Sequence, residues 1–144
     1  MNINKTPKVE PRKILVVDDD YFFRSILEKS LAHRGYLPSC AEGGKQAQQM
    51  LSLDKFDLVI SDIRMPGIDG TELLRWIKES GPLPVILMAE CVEILETQGL
   101  AEIGADGFLE KPFKTEALLA AIEACFPPLK EKKVRETLIS SFAR

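Results

Sequence analysis

The sequence predicts an α/β fold: a three-layer, doubly wound sheet of five parallel strands with helices on both faces. Three observations predict it. Apolar runs rich in Val, Ile and Leu recur at residues 14–17, 56–61 and 84–88, the pattern of strands buried on both faces. Segments with apolar residues at helical spacing alternate with these runs, which implies right-handed crossovers and a parallel sheet. Two of the runs end abruptly in acid, at Asp18-Asp19-Asp20 and at Asp62.

Each element follows from a local signal. Residues 1–12, polar and carrying Pro7 and Pro11, read as a flexible leader. Ile14-Leu15-Val16-Val17 is the first strand. A helix over 21–34 carries Phe23, Ile26, Leu27 and Leu31 on its apolar side, with Gly35 placed to end it. A weaker strand at 37–41 precedes a helix at 44–53 in which Ala47, Met50 and Leu51 share a face. Phe56 to Ser61 is the next strand. Pro66-Gly67 suits the central positions of a type II turn. A helix over 71–79 carries Leu73, Leu74 and Ile77 and stops at Gly81-Pro82. Pro84 to Met88 is the fourth strand. A helix at 92–103 is weakened by Gly99 inside it, a fifth strand runs from 107 to 110, and a helix spans 115–125. Val134, Leu138, Ile139 and Phe142 in the charged tail, 128–144, are spaced for a short amphipathic helix.

Composition excludes several functional classes. With 144 residues, 45% of them hydrophobic and 28% charged, the chain suits one soluble domain. A net charge of −3 argues against direct nucleic-acid binding. No apolar run approaches a membrane span, and the start lacks the apolar core of a signal peptide. Cys40, Cys91 and Cys125 are odd in number and widely spaced, which fits a reducing cytoplasm rather than a disulfide framework. The lone histidine, His33, sits in the last turn of a helix, where a cation suits the dipole.

In a doubly wound sheet the ligand site lies beyond the carboxyl ends of the strands. Those ends present Asp18, Asp19 and Asp20, then Asp62, then Ala89 and Glu90, then Lys111. Two carboxylates about 4 Å apart repel by about 4 kcal/mol at an effective dielectric near 20. A raised pKa or a hard dication offsets this, and Mg2+ takes one or two carboxylates, waters and a phosphate oxygen. A carboxylate beside such a cation can serve as nucleophile toward a phosphoryl group, with Lys111 pairing its oxygens. Acid after a buried strand also has a plainer use, capping the next helix, and Asp20 is assigned to it.

The chain resembles the receiver domains of two-component response regulators. The resemblance rests on residues 14–19, on Ser61-Asp62-Ile63-Arg64-Met65-Pro66-Gly67-Ile68-Asp69-Gly70, and on Gly107-Phe108-Leu109-Glu110-Lys111-Pro112-Phe113, in matching order and spacing over residues 12–126. It implies a flavodoxin-like sheet of order 2-1-3-4-5 within a domain at 13–127. By position, Asp62 looks like the phosphoacceptor, Asp19 like a direct Mg2+ ligand, Asp18 like a ligand through water, Arg64 like the residue whose backbone carbonyl completes the metal shell, and Lys111 like the phosphate-pairing lysine. The Lys111–Pro112 bond is expected to be cis. The resemblance implies a cytoplasmic phosphorylation switch, not a conventional enzyme, that receives its phosphoryl group from a histidine kinase or histidine phosphotransfer protein. The lone histidine agrees with a donor outside the chain. Output passes to a partner or to the rest of a longer protein, and a homodimer is compatible with the reading.

Of the two switch positions, Ala89 and Phe108, the first departs from the family pattern and the second is a common aromatic there that lacks a hydroxyl. Ala89 stands where Thr or Ser is usual, and alanine has no hydrogen-bonding side chain. Phe108 stands where a rotating Tyr or another aromatic is frequent. Glu90 adds an acid where a small residue is usual. Two rival readings stand beside this one: a protein-binding pseudo-receiver without phosphate control, favoured by Ala89, and a haloacid-dehalogenase-type phosphatase, which the apolar strand before Asp18-Asp19-Asp20 also resembles, with Asp18 as nucleophile and Asp20 as general acid.

Overall fold

The computed structural model describes residues 10–91 and 99–126. Among the described residues the elements are β1 (Lys13–Val17), α1 (Tyr21–His33), β2 (Leu37–Ala41), α2 (Gly44–Leu53), β3 (Leu58–Asp62), α3 (Gly70–Ser80), β4 (Val85–Ala89), α4 (Leu100–Ile103), β5 (Gly107–Glu110) and α5 (Thr115–Cys125). The strands form one sheet in the order β2-β1-β3-β4-β5. Every pairing is parallel.

The two-residue period of a strand divides the core into two layers. Leu15, Val17, Val59, Val85 and Leu87 face one side, where they pack with Ala47 of α2, Leu73, Leu74 and Ile77 of α3, and Leu100 of α4. Ile14, Val16, Leu58, Ile60, Ile86 and Met88 face the other, against Leu27 and Leu31 of α1 and Leu118 and Ile122 of α5. Both faces of the central strands are therefore covered. That is why their sequences read as unbroken apolar runs.

The caps follow sequence chemistry. The Asp20 carboxylate accepts from the Phe22 and Phe23 amides and caps α1. Asp69 accepts from the Glu72 amide and caps α3. Gly67 adopts φ +75°, as the second central position of a type II turn requires.

Three expectations need correction. Ile26 is not on the buried side of α1: it is 67% exposed, and Arg24 takes a buried place instead. The strands after α2 and α3 are shifted toward their carboxyl ends, so Asp62 and Ala89 are the last residues of β3 and β4. Among the described residues the helix before β5 spans only Leu100–Ile103, because Gly99 takes a left-handed conformation (φ +61°) and starts it instead of lying within it. Residues 92–98 of that segment, the leader up to residue 9 and the tail from 127 lie outside the described residues.

Candidate functional site

The sheet order reverses direction at β1 and β3, and a crevice opens beyond their carboxyl ends. It encloses 550 Å³ and is lined by Asp18, Asp19, Asp20, Asp62, Ile63, Arg64, Ala89, Glu90, Cys91 and Lys111. Parallel pairing puts these residues together, because it brings four strand ends to one edge. The Asp18 amide donates to the Ala41 carbonyl at 3.2 Å, the Ile63 amide to the Met88 carbonyl at 3.0 Å, and the Lys111 amide to the Ala89 carbonyl at 2.7 Å. The Lys111–Pro112 bond is cis.

Asp18 is fully buried. Its Oδ2 accepts from Lys111 Nζ at 2.7 Å and its Oδ1 from the Asp20 amide at 2.9 Å. Lys111 Nζ also lies 3.4 Å from Asp62 Oδ2 and 4.1 Å from the centroid of the Phe23 ring. Phe23 meets Phe113 edge to face at 5.5 Å, so α1 and the turn after β5 together hold the ammonium over the carboxylates. Burial pushes the Asp62 carboxyl above its ordinary value; Lys111 draws it part of the way back, and the charge of Asp18 adds to the rise.

Asp18, Asp19 and Asp62 each offer a carboxylate oxygen, and the three oxygens lie within 4.8 Å of one another. This all-oxygen, anionic donor set fits a hard dication of the Mg2+ type. Asp20 is different. Its carboxylate is turned into the α1 amides, so it is engaged as a cap and is not presented as a general acid.

Sequence reasoning passed over several residues here. Arg24 is buried, and its Nη1 donates to the Asp18 carbonyl oxygen at 2.7 Å. Ser61, also buried, donates to the Asp62 carbonyl at 2.9 Å. Phe23, an apolar-side residue of the first helix by its spacing, lies under Lys111. Of the switch positions, Ala89 is buried in the crevice wall and Phe108 is 38% exposed.

Comparison with known proteins decides the family. Residues 14–123 match the model of the response regulator receiver domain. The chain belongs to the response regulator receiver family. Relatives of this receiver include the response regulator MprA of Mycobacterium leprae, 35% identical over 132 residues that cover 91% of this chain and 58% of the relative. The MprA of Mycolicibacterium vanbaalenii is 37% identical over 115 residues, 79% of this chain and 50% of the relative. The receiver thus spans about half the length of these curated relatives. Among solved structures, the chemotaxis response regulator CheY4 of Vibrio cholerae superposes with a TM-score of 0.75 at 28% identity, covering 81% of this chain and 99% of that one. The response regulator TrrA of Thermotoga maritima, solved with Mg2+ and BeF, gives 0.74 at 30% identity over 80% of this chain and 99% of that one. Receivers are modules of two-component signalling rather than conventional enzymes, they typically bind Mg2+ at the acidic pocket, and response regulators interact with histidine kinases and output domains. Among the described residues no helix is long and apolar enough to cross a membrane.

Proposed function

We propose that this receiver is a phosphorylation-dependent switch that accepts a phosphoryl group on Asp62. The observation that carries the reading is the convergence of three carboxylates and Lys111 within one crevice. In this reading a carboxylate oxygen of Asp62 attacks the phosphorus of a phosphohistidine. The new O–P bond forms as the P–N bond breaks, and the imidazole nitrogen leaves with the bonding pair. Lys111 then pairs with the phosphoryl oxygens as a point charge on a flexible stem. Asp18, Asp19, Asp62 and the backbone carbonyl of Arg64 are the groups that would hold Mg2+. The cation supplies charge compensation for the carboxylates and the transferring group.

In this reading the receiver works in the cytoplasm, and its donor in the cell is a histidine kinase or a histidine phosphotransfer protein. Tyr21, Phe22 and Ile26 support this. They are 66%, 77% and 67% exposed on α1, which begins at the crevice-lining Asp20. An apolar patch beside a polar site suits docking of a partner. We assign the receiver to residues 13–127, with 1–12 a leader and 128–144 a tail, and leave output to a partner, a second copy or a further domain.

Ala89 favours a second reading, a pseudo-receiver that binds partners without phosphate control. Adding Mg2+ and then beryllofluoride to isotope-labelled protein separates the two. The switch predicts saturable, Mg2+-dependent amide shifts around residues 18–20, 62–64 and 111. No beryllofluoride response at saturating Mg2+ would leave the pseudo-receiver.

A further inference from the structure

Arg24 is placed where a cation is least expected. It lies in the first turn of α1, at the positive end of the helix dipole, and that turn carries no acid. It is buried, so its guanidinium has been taken from water and its long side chain immobilised. Yet its Nη1 bonds a backbone oxygen, that of Asp18, at 2.7 Å, while its own amide donates to the Asp20 carbonyl at 3.0 Å.

The carbonyl of Asp18 belongs to the peptide unit that joins Asp18 to Asp19. That unit is planar, so fixing its oxygen fixes the direction in which the chain enters Asp19. The Asp18 carboxylate is held independently, by Lys111 and the Asp20 amide. Asp19 is exposed, and its aim depends on the backbone beneath it. We propose that Arg24 is a positioning residue: it clamps the Asp18–Asp19 peptide to α1 so that the Asp19 carboxylate faces a divalent cation shared with Asp18 and Asp62. The inference rests on the cation-site reading above.

Its sign distinguishes it from a spectator charge. Through space, a guanidinium bonded to residue 18 repels a dication, so removing a mere spectator would tighten Mg2+ binding. Removing a clamp weakens it, as loss of an outer-shell partner does at metal sites. The test is a Mg2+ titration of the full chain followed by amide shifts, with thermal melts showing each variant folded at the titration temperature. Arg24→Met keeps the apolar stem and removes the donor; it should weaken Mg2+ by about tenfold or more. Arg24→Lys keeps a donor and should regain most of that loss. If Arg24→Met does not fold, Arg24→Gln is judged by the same criterion. Unchanged or tighter binding in the donor-less variant, with a wild type that binds Mg2+, overturns the clamp alone. A wild type without a saturable Mg2+ response overturns the cation site and the clamp together.

Discussion

Asp18 is fully buried with both carboxylate oxygens engaged, by Lys111 and by the Asp20 amide, whereas Asp19 stands exposed beside it. By position in the sequence the two differ only in how each would reach a cation, and without the cation removing either should relieve repulsion. The structure separates them. Asp18→Ala strips Lys111 of its nearest partner and should lower the stability by about 1.5–3 kcal/mol, the worth of a hydrogen bond to a charged group, and the Tm with it. Asp19→Ala removes one charge from the cluster and should raise the Tm in chelator. Melts of both variants in EDTA check this; matching shifts would mean that the ion pair contributes nothing to folding. Asp62 gives a related prediction. Its folded carboxyl is raised above the ordinary 3.8. The stability it contributes is therefore fully present below the unfolded value and is lost as pH rises through the folded value. In EDTA, Asp62→Asn should melt higher than wild type at neutral pH, and the gap should close as the pH falls toward 3.8. A gap that widens in acid would contradict the raised carboxyl.

At the scale of elements, the site depends on one close approach. A Cβ on Gly70 would collide with the Asp62 carbonyl oxygen and lie 2.7 Å from Ile63 Cα. Backbone cannot swing aside as a side chain can. Gly70→Ala should cost about 1–3 kcal/mol, as overpacking does. It should also disturb amide shifts at 62–64, while Gly43→Ala, with open space around it, should leave them unchanged. The β4 terminus carries a second prediction. A hydroxyl at position 89 would bond a phosphoryl oxygen, and such a bond is worth about 1.5–3 kcal/mol. That is roughly a 10- to 160-fold bias of a two-state equilibrium. Ala89→Thr should enlarge the beryllofluoride-induced shifts over residues 89–108, and equal responses in both proteins would show that the signal leaves by another route. The strands and most helices were legible because burial on both faces leaves unbroken β-branched runs and because capping residues stand at fixed offsets. The buried side of α1 was not. Ile26 satisfies the helical spacing, but the inward place went to Arg24, and periodicity assigns every arginine to water. Gly99 reads in the sequence as a weakness within a helix, since no sequence rule separates a tolerated glycine from one that starts a new segment with positive φ.

For the whole molecule, strand order does the assembling. Residues 18, 62, 89 and 111 are far apart in sequence, and the parallel order β2-β1-β3-β4-β5 brings them to one edge. Four of the candidate site positions, Asp18, Asp19, Asp62 and Lys111, could be named from sequence because each follows a recognisable strand. Arg24, Ser61 and Phe23 could not, since their part in the crevice comes from tertiary contact. Whether Asp62 receives the phosphoryl group is decided by treating the full chain with a small phosphodonor and Mg2+ and mapping the modified residue. Intact mass should show one labile phosphoryl group, dependent on Mg2+, located on Asp62 and absent from Asp62→Asn. Unchanged labelling in Asp62→Asn, or a phosphoryl group on Asp18, would contradict it.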